Sequence, residues 1–300
     1  MAKARIAVVG AGLMGHGIAQ VFALAGHEVK ITDTVVKNLD TVASRIAANL
    51  RDLGEDERAV ERVQPSVDLT DAVHDADYVV EAVSENLELK KKIFAELERR
   101  TRPDTILASN TSVIPITAIM QDLSRRERAV GTHWWNPPFL VPLVEVIGTQ
   151  WTSQQVIATT MALHAAAGKT PAHVKKDVPG FIGNRLQHAL WREAISLVEH
   201  GICDAKTVDD VVKASFGRRL AVLGPIENAD QVGTDLTLAI HDVVLPAIEN
   251  RPGPSPYLQE LVANGKLGFK SGEGFQKWSP EQQTALRARV MRHLKAMRDT

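Results

Sequence analysis

Apolar positions fall into two rhythms along this chain. Short apolar runs at 5–9, 28–32, 78–83, 105–108, 129–131 and 143–147 have the length of buried strands. Between them, 13–25, 35–53, 55–63, 87–101, 116–123 and 153–167 carry apolar residues three and four apart and predict helices. Stop signals close several of these: Gly26 follows the first, Pro103 the fourth and Gly168 the last. The pieces 35–53 and 55–63 flank Gly54 and predict a helical hairpin near 36–64. Beyond residue 177 the character changes. Segments 181–200, 205–216, 228–248 and 280–297 all read as helices, with no strand pattern among them. Ser279-Pro280-Glu281 has the cap, first-turn proline and first-turn acid of a helix start. Strands alternating with helices predict a doubly wound, mostly parallel α/β sheet over 1–178, and the remainder an all-α domain over 179–300.

Composition adds exclusions. Hydrophobic residues make up 44% of the 300, enough for a full core, and a net charge of −1 gives no global attraction to nucleic acid or to a membrane surface. Cys203 is the only cysteine, so no intrachain disulfide can form, which suits a reducing compartment. The chain starts on a strand pattern without a leader-like apolar stretch, and no window approaches the roughly 18 uninterrupted apolar residues of a membrane span. The expected location is cytoplasmic.

The first strand runs into Gly10-Ala11-Gly12-Leu13-Met14-Gly15 and then a helix. In such a turn the first glycine permits the bend, the second lets backbone approach a pyrophosphate, and the third lets helix pack on strand. The residues from Gly12 through Leu13, Met14 and Gly15 then open the helix whose N-terminus faces the phosphates. Alone the pattern is weak, because glycines in a strand–helix turn occur for structural reasons. Asp33, at the end of the next strand, strengthens it: an acid there binds a ribose 2′-hydroxyl and repels a 2′-phosphate. No arginine adjoins Asp33 in the sequence, so the expected cofactor is NAD rather than NADP.

The segment GTHWWNPPFLVPLVEV, 131–146, carries the candidate chemistry. His133 follows a short apolar run, and Glu145 sits inside another. A carboxylate in an apolar run is costly without a partner, an imidazole is an obvious one, and a histidine oriented by a carboxylate is a general base. His133 has no second metal ligand at usable spacing, and Cys203 has only His200 near it, so no metal site is expected.

The same segment, GTHWWNPP followed by PLVEV, resembles the 3-hydroxyacyl-CoA dehydrogenase family. With the glycine turn, VVEAVSENLELKKKIF (79–94), ASNTSVIPIT (108–117), VPGFIGNRL (178–186), GPIENADQVGTD (224–235) and GKLGFKSGEGF (265–275) are similar to the family's blocks, in family order. The resemblance implies roles. His133 would take the proton of the substrate 3-hydroxyl, with Glu145 fixing its tautomer. Ser112 would bond the reacting oxygen, and Asn184 would reach across from the second domain. Glu85 and Lys90 would lie around the nicotinamide ribose. A homodimer through the helical domain is implied too. Each residue also has a plainer reading: Ser112 and Asn184 as helix caps, Lys90 as part of the solvated run with Lys91 and Lys92, Glu85 as its ion-pair partner, and His16 as a spectator in the turn. Trp134 and Trp135 stand where the acyl-CoA enzymes carry smaller or phenylalanine-like residues, as core packing or as a reshaped pocket.

The substrate stays open between a 3-hydroxyacyl-CoA and a free hydroxy acid of the gulonate, carnitine or pyridine-alcohol type. In the acyl-CoA enzymes the hairpin after the second strand receives the CoA nucleotide. Here 38–64 has no lysine and sets four arginines (45, 51, 58, 62) against six acids, a poor field for a polyanion. A 6-phosphogluconate-like enzyme would need a lysine on the first interdomain helix, and 181–200 has none. A crystallin-like binder without turnover would not need His133, Glu145, Ser112 and Asn184 together.

Overall fold

The computed structural model describes residues 3–298. Its chain divides by contacts into two compact units, Met1–Arg185 with His293–Thr300, and Leu186–Arg292.

The first unit is an eight-stranded sheet in the order β3-β2-β1-β4-β5-β6-β7-β8. The strands are β1 (Arg5–Val9), β2 (Glu28–Thr32), β3 (Val63–Ser66), β4 (Tyr78–Glu81), β5 (Ile106–Ser109), β6 (Ala129–Trp134), β7 (Leu143–Ile147) and β8 (Thr170–Val174). All neighbours are parallel except β6 and β7. Six helices accompany them: α1 (Leu13–Leu24), α2 (Val36–Leu53), α3 (Leu69–Val73), α4 (Leu87–Arg100), α5 (Ile116–Met120) and α6 (Gln154–Ala166). Side chains alternate across each strand, so β1 sends Ile6 and Val8 to one face and Ala7 and Val9 to the other. The first face packs with Ile18 and Phe22 of α1 and Val42 and Ile46 of α2. The second packs with Phe94 and Leu97 of α4 and Ile119 of α5. Two apolar cores on opposite faces of one sheet make the doubly wound architecture.

The expected second helix of the hairpin is a 3-10 turn, Glu57–Arg62, started by the Asp56 carboxylate accepting from the Arg58 N–H. It gives way at once to β3, whose Val63 pairs with Val29. Strands β3 and β8 were not anticipated from the sequence, and both are sheet edges.

The helices that follow are α7 (Gly183–Glu199), α8 (Ala205–Ala214), α9 (Pro225–Val232), α10 (Thr234–Val244), α11 (Pro256–Ala263) and α12 (Pro280–Arg298). The single helix expected over 228–248 is broken at Gly233, whose φ of +105° no helix accommodates. Among the described residues of the helical unit, only Ser196 and Leu261 are buried, while Ile202, Val222, Ile226 and Val243 are more than two-thirds exposed. The last turns of α12 return to the first unit, where Lys295 pairs with Asp52 and Arg298 with Glu55. No described helix is long and apolar enough to cross a membrane.

Candidate active site

The nucleotide end is built by the turn between β1 and α1. At Gly10 the φ of +105° and a carbonyl of Ala82 lying 2.6 Å from any added Cβ both demand glycine. At Gly15 a Cβ would lie 1.7 Å from the Gly10 oxygen, so helix and strand meet there without room for a side chain. Gly12 is the opposite case: nothing lies within 4 Å of its Cβ position, and no side chain caps α1. The first-turn amides of α1, at Leu13, Met14 and Gly15, lack intrahelical acceptors, and the open space beside Gly12 fits a pyrophosphate. His16 is buried with Nδ1 2.8 Å from the Gly12 oxygen, and burial pushes its pKa down, so it stays a neutral part of the turn.

Asp33 ends β2. Its Oδ2 accepts from the Ala11 N–H at 2.7 Å and the Asn38 amide at 3.0 Å, and its Oδ1 from the Val35 N–H at 2.8 Å. Partial burial opposes its charge, but the Val35, Asn38 and Ala11 donors and the Arg45 cation outweigh it and hold the carboxyl below its usual range. The fold adds a cation that the sequence did not reveal: α2 swings Arg45 back onto Ala11, Gly12 and Asn38, from where it acts on Asp33 through space.

Lys90 and the exposed Glu85 join a network with three residues the sequence reading missed, Glu81, Ser109 and Thr111. Lys90 is fully buried rather than solvated, with Nζ 2.7 Å from Glu81 Oε1 and 3.5 Å from Glu85 Oε2. Glu81 also accepts from the Ser109 hydroxyl at 2.7 Å. Its only sequence signal was an acid at the end of the apolar run YVVE. Glu85 Oε1 accepts from the Thr111 hydroxyl at 2.6 Å and from the N–H groups of Ser112 and Val113 at 2.9 and 3.1 Å. It thus fixes the backbone of the SNTS loop.

His133 and Glu145 are direct cross-strand partners in the antiparallel pair β6–β7. Nδ1 lies 2.8 Å from Glu145 Oε2, with the residues 4% and 1% exposed. The other carboxylate oxygen accepts from the N–H groups of Ile182 and Gly183 at 2.8 and 3.0 Å. Burial raises the Glu145 pKa, but His133 and those two N–H groups more than reverse it, so the carboxyl is held below its ordinary value. An anionic acceptor at Nδ1 requires the proton there, which leaves Nε2 as the basic nitrogen.

The residue after Gly183 is Asn184, whose amide donates to the Ser112 carbonyl at 2.8 Å. The contact boundary falls after Arg185, so Asn184 belongs to the first unit, not to the helical one. Ser112 does not cap α5, where Pro115 holds the cap position, and Ser112 itself is exposed. The start of α7 therefore joins the histidine pair to the SNTS loop.

The two tryptophans divide. Trp134 is core, 2% exposed, edge-on to Phe22 at 5.6 Å. Trp135 lies against the His133 ring at 5.3 Å, and its Cζ2 is 2.5 Å from where a Cβ on Gly183 would stand. Under this loop Lys169 donates to the carbonyls of Pro138 and Val141, and burial pushes its pKa down to about 8. Among the described residues no cluster of three potential ligands could hold a metal.

The strand order, the glycine turn and Asp33 define a dinucleotide-binding protein. Residues 5–178 match the NAD binding domain of 3-hydroxyacyl-CoA dehydrogenase, and 180–278 match its C-terminal domain. The chain belongs to the 3-hydroxyacyl-CoA dehydrogenase family and is an NAD-dependent oxidoreductase. It is 38% identical over 298 residues, 98% of this chain and 96% of the relative, to a 5-formyl-3-hydroxy-2-methylpyridine 4-carboxylate 5-dehydrogenase of Mesorhizobium japonicum. It is also 38% identical to the mitochondrial hydroxyacyl-coenzyme A dehydrogenase of Homo sapiens, over 91% of this chain and 90% of that one. Among solved structures, a 5-dehydrogenase of the pyridine carboxylic acid type, described as an NAD+ dependent dismutase, superposes with a TM-score of 0.92, 37% identity and coverage of 99% and 97%.

Proposed function

We propose that this enzyme oxidises a small free carboxylic acid carrying a hydroxyl or hydrated aldehyde, of the pyridine-carboxylate type, in preference to a CoA thioester. The observation that carries this reading is the pairing of the other arginines in the segment where the family would seat the CoA nucleotide. Arg51 pairs with Glu57, Arg58 with Asp56, and Arg62 reaches the Ala23 carbonyl, while Arg45 is turned onto the glycine turn of the dinucleotide site. The cations offered by the α12 turn are likewise taken, on Asp52 and Glu55. Neither identity nor length separates the two classes of relative.

In the mechanism that follows, NAD supplies the hydride acceptor when bound. Nε2 of His133 removes the proton of the substrate hydroxyl as the C–H bond on the same carbon breaks. Glu145 keeps the proton on Nδ1 and stabilises the imidazolium that forms. Ser112 and Asn184 hold the reacting oxygen, and Glu85 with Lys90 keeps the SNTS loop in place for it. A hydrated aldehyde offers the same O–H and C–H on one carbon, so the base needs no change to yield an acid. Nicotinamide reduction, followed by absorbance, should show a kcat/KM for a formyl- or hydroxymethyl-pyridine carboxylate at least about 100-fold above that for 3-hydroxybutyryl-CoA, a gap of about 2.7 kcal/mol. Free 3-hydroxybutyrate, gulonate and carnitine complete the panel. The reverse ratio would return the enzyme to acyl-CoA substrates.

A second copy of the chain is the proposed partner. The helical unit leaves most of its apolar side chains uncovered, and a cavity of about 620 Å³ opens among Trp191, Leu258, Phe275 and Trp278. Exposed apolar surface on this scale marks an interface, and a dimer through this domain is what the family resemblance implies. Light scattering on the full chain should give twice the monomer mass of 32.8 kDa, and a monomer at micromolar concentration would reject the dimer.

A further inference from the structure

We propose that Arg45 discriminates between cofactors in this site: it holds the glycine turn against Asp33, and it is the cation that accepts a 2′-phosphate once position 33 is neutral. Arg45 Nη2 donates to the carbonyls of Ala11 at 2.7 Å and Asn38 at 2.9 Å, and Nη1 to that of Gly12 at 3.4 Å. The N–H of Ala11 and the side-chain amide of Asn38 donate in turn to Asp33 Oδ2. Guanidinium and carboxylate therefore grip the same two residues from their opposite polar ends. Loosening either partner frees the turn that must face the pyrophosphate.

The charge balance carries the second half of the proposal. Arg45 has no carboxylate in hydrogen-bonding contact; its partners are carbonyls, which stabilise a cation without neutralising it. Asp33 is the anion that acts on it through space. Together the two groups sum to no net charge at the adenosine end, which suits a ribose with free hydroxyls. Removing the carboxylate charge leaves one positive charge there. A phosphate is a stronger acceptor for guanidinium than a peptide carbonyl, and planar bidentate pairing favours it further.

Isothermal titration with ADP-ribose and with 2′-phospho-ADP-ribose reads this without turnover. The wild type should prefer ADP-ribose. D33N should shift the affinity ratio towards the phosphorylated ligand by at least about tenfold, or 1.4 kcal/mol. D33N/R45M should lose that gain, and R45M alone should weaken ADP-ribose because the turn is no longer held. If R45M fails to fold by circular dichroism, D33N/R45K replaces the double variant: it keeps the charge without the fork, so part of the gain should remain and should fade with salt. No gain in D33N, or a gain that survives in D33N/R45M, overturns the proposal. A salt-independent gain in D33N/R45K overturns it as well.

Discussion

His133→Asn should lower kcat/KM by roughly 10²–10⁴-fold, the span a positioned general base contributes, while NADH binding measured by fluorescence stays at the wild-type level. The reasoning rests on separation within the first unit. His133 contacts Glu145, Trp135 and Phe181, on strands and a loop apart from the glycine turn and Asp33. Asparagine is chosen over alanine because Glu145 is almost fully buried. Alanine would leave a buried carboxylate oxygen without its donor, a loss of stability that would be mistaken for a loss of chemistry. Asparagine keeps a donor and removes the base. Turnover at the wild-type rate would end the assignment of His133.

Glu145→Gln should be nearly as damaging to turnover, and for a different reason. The glutamine oxygen can still accept from the N–H groups of Ile182 and Gly183, so the start of α7 keeps its anchor. The amide nitrogen then faces Nδ1, and a donor there favours the tautomer with the proton on Nε2, which cannot act as a base. Such an exchange in serine proteases costs about 10⁴-fold, and a loss of roughly 10²–10⁴-fold is expected here. The variant also changes the acid side of the stability curve. Glu145 has a folded pKa below its ordinary 4.5. Its contribution is complete above that ordinary value and is lost as pH falls through the lower folded one. Thermal melts from pH 6 to 3 should therefore fall less steeply for the variant than for the wild type. Parallel curves would mean that the carboxylate carries no such linkage.

The elements that the sequence made legible share one physical property: they are buried on both sides. Strands β1, β4, β5 and β7 are apolar at nearly every position because helices cover both sheet faces. The two strands that escaped notice are the sheet edges, β3 and β8, and each contains a proline, Pro65 and Pro171. A strand with one neighbour needs neither a full set of N–H donors nor a continuous apolar run, so it leaves no period to read. The glycine turn, Asp33 and the His133–Glu145 pair were visible because their spacing is local. Arg45, Glu81 and Lys169 were not. Each acts on a partner that the fold delivers from elsewhere, and their neighbours in sequence look like ordinary helix surface, strand end and loop. Lys90 shows the same limit, since a lysine in a run of three gives no sign of being the one turned inward onto Glu81.

One consequence of the antiparallel pair concerns how such an enzyme diverges. His133 and Glu145 are matched by strand register, and Glu145 is braced from the far side by α7. The chain between them, 135–142, contributes nothing to that alignment; it carries Trp135 against the imidazole and is tethered beneath by Lys169. On the function proposed above, the reaction and the choice of molecule would fall on separate pieces of backbone. A loop grafted between the last residue of β6 and the first of β7 would inherit a working base and bring its own selectivity. Within one lineage, new substrates could then arise by exchanging a short surface module while the proton chemistry beneath it passes on unchanged.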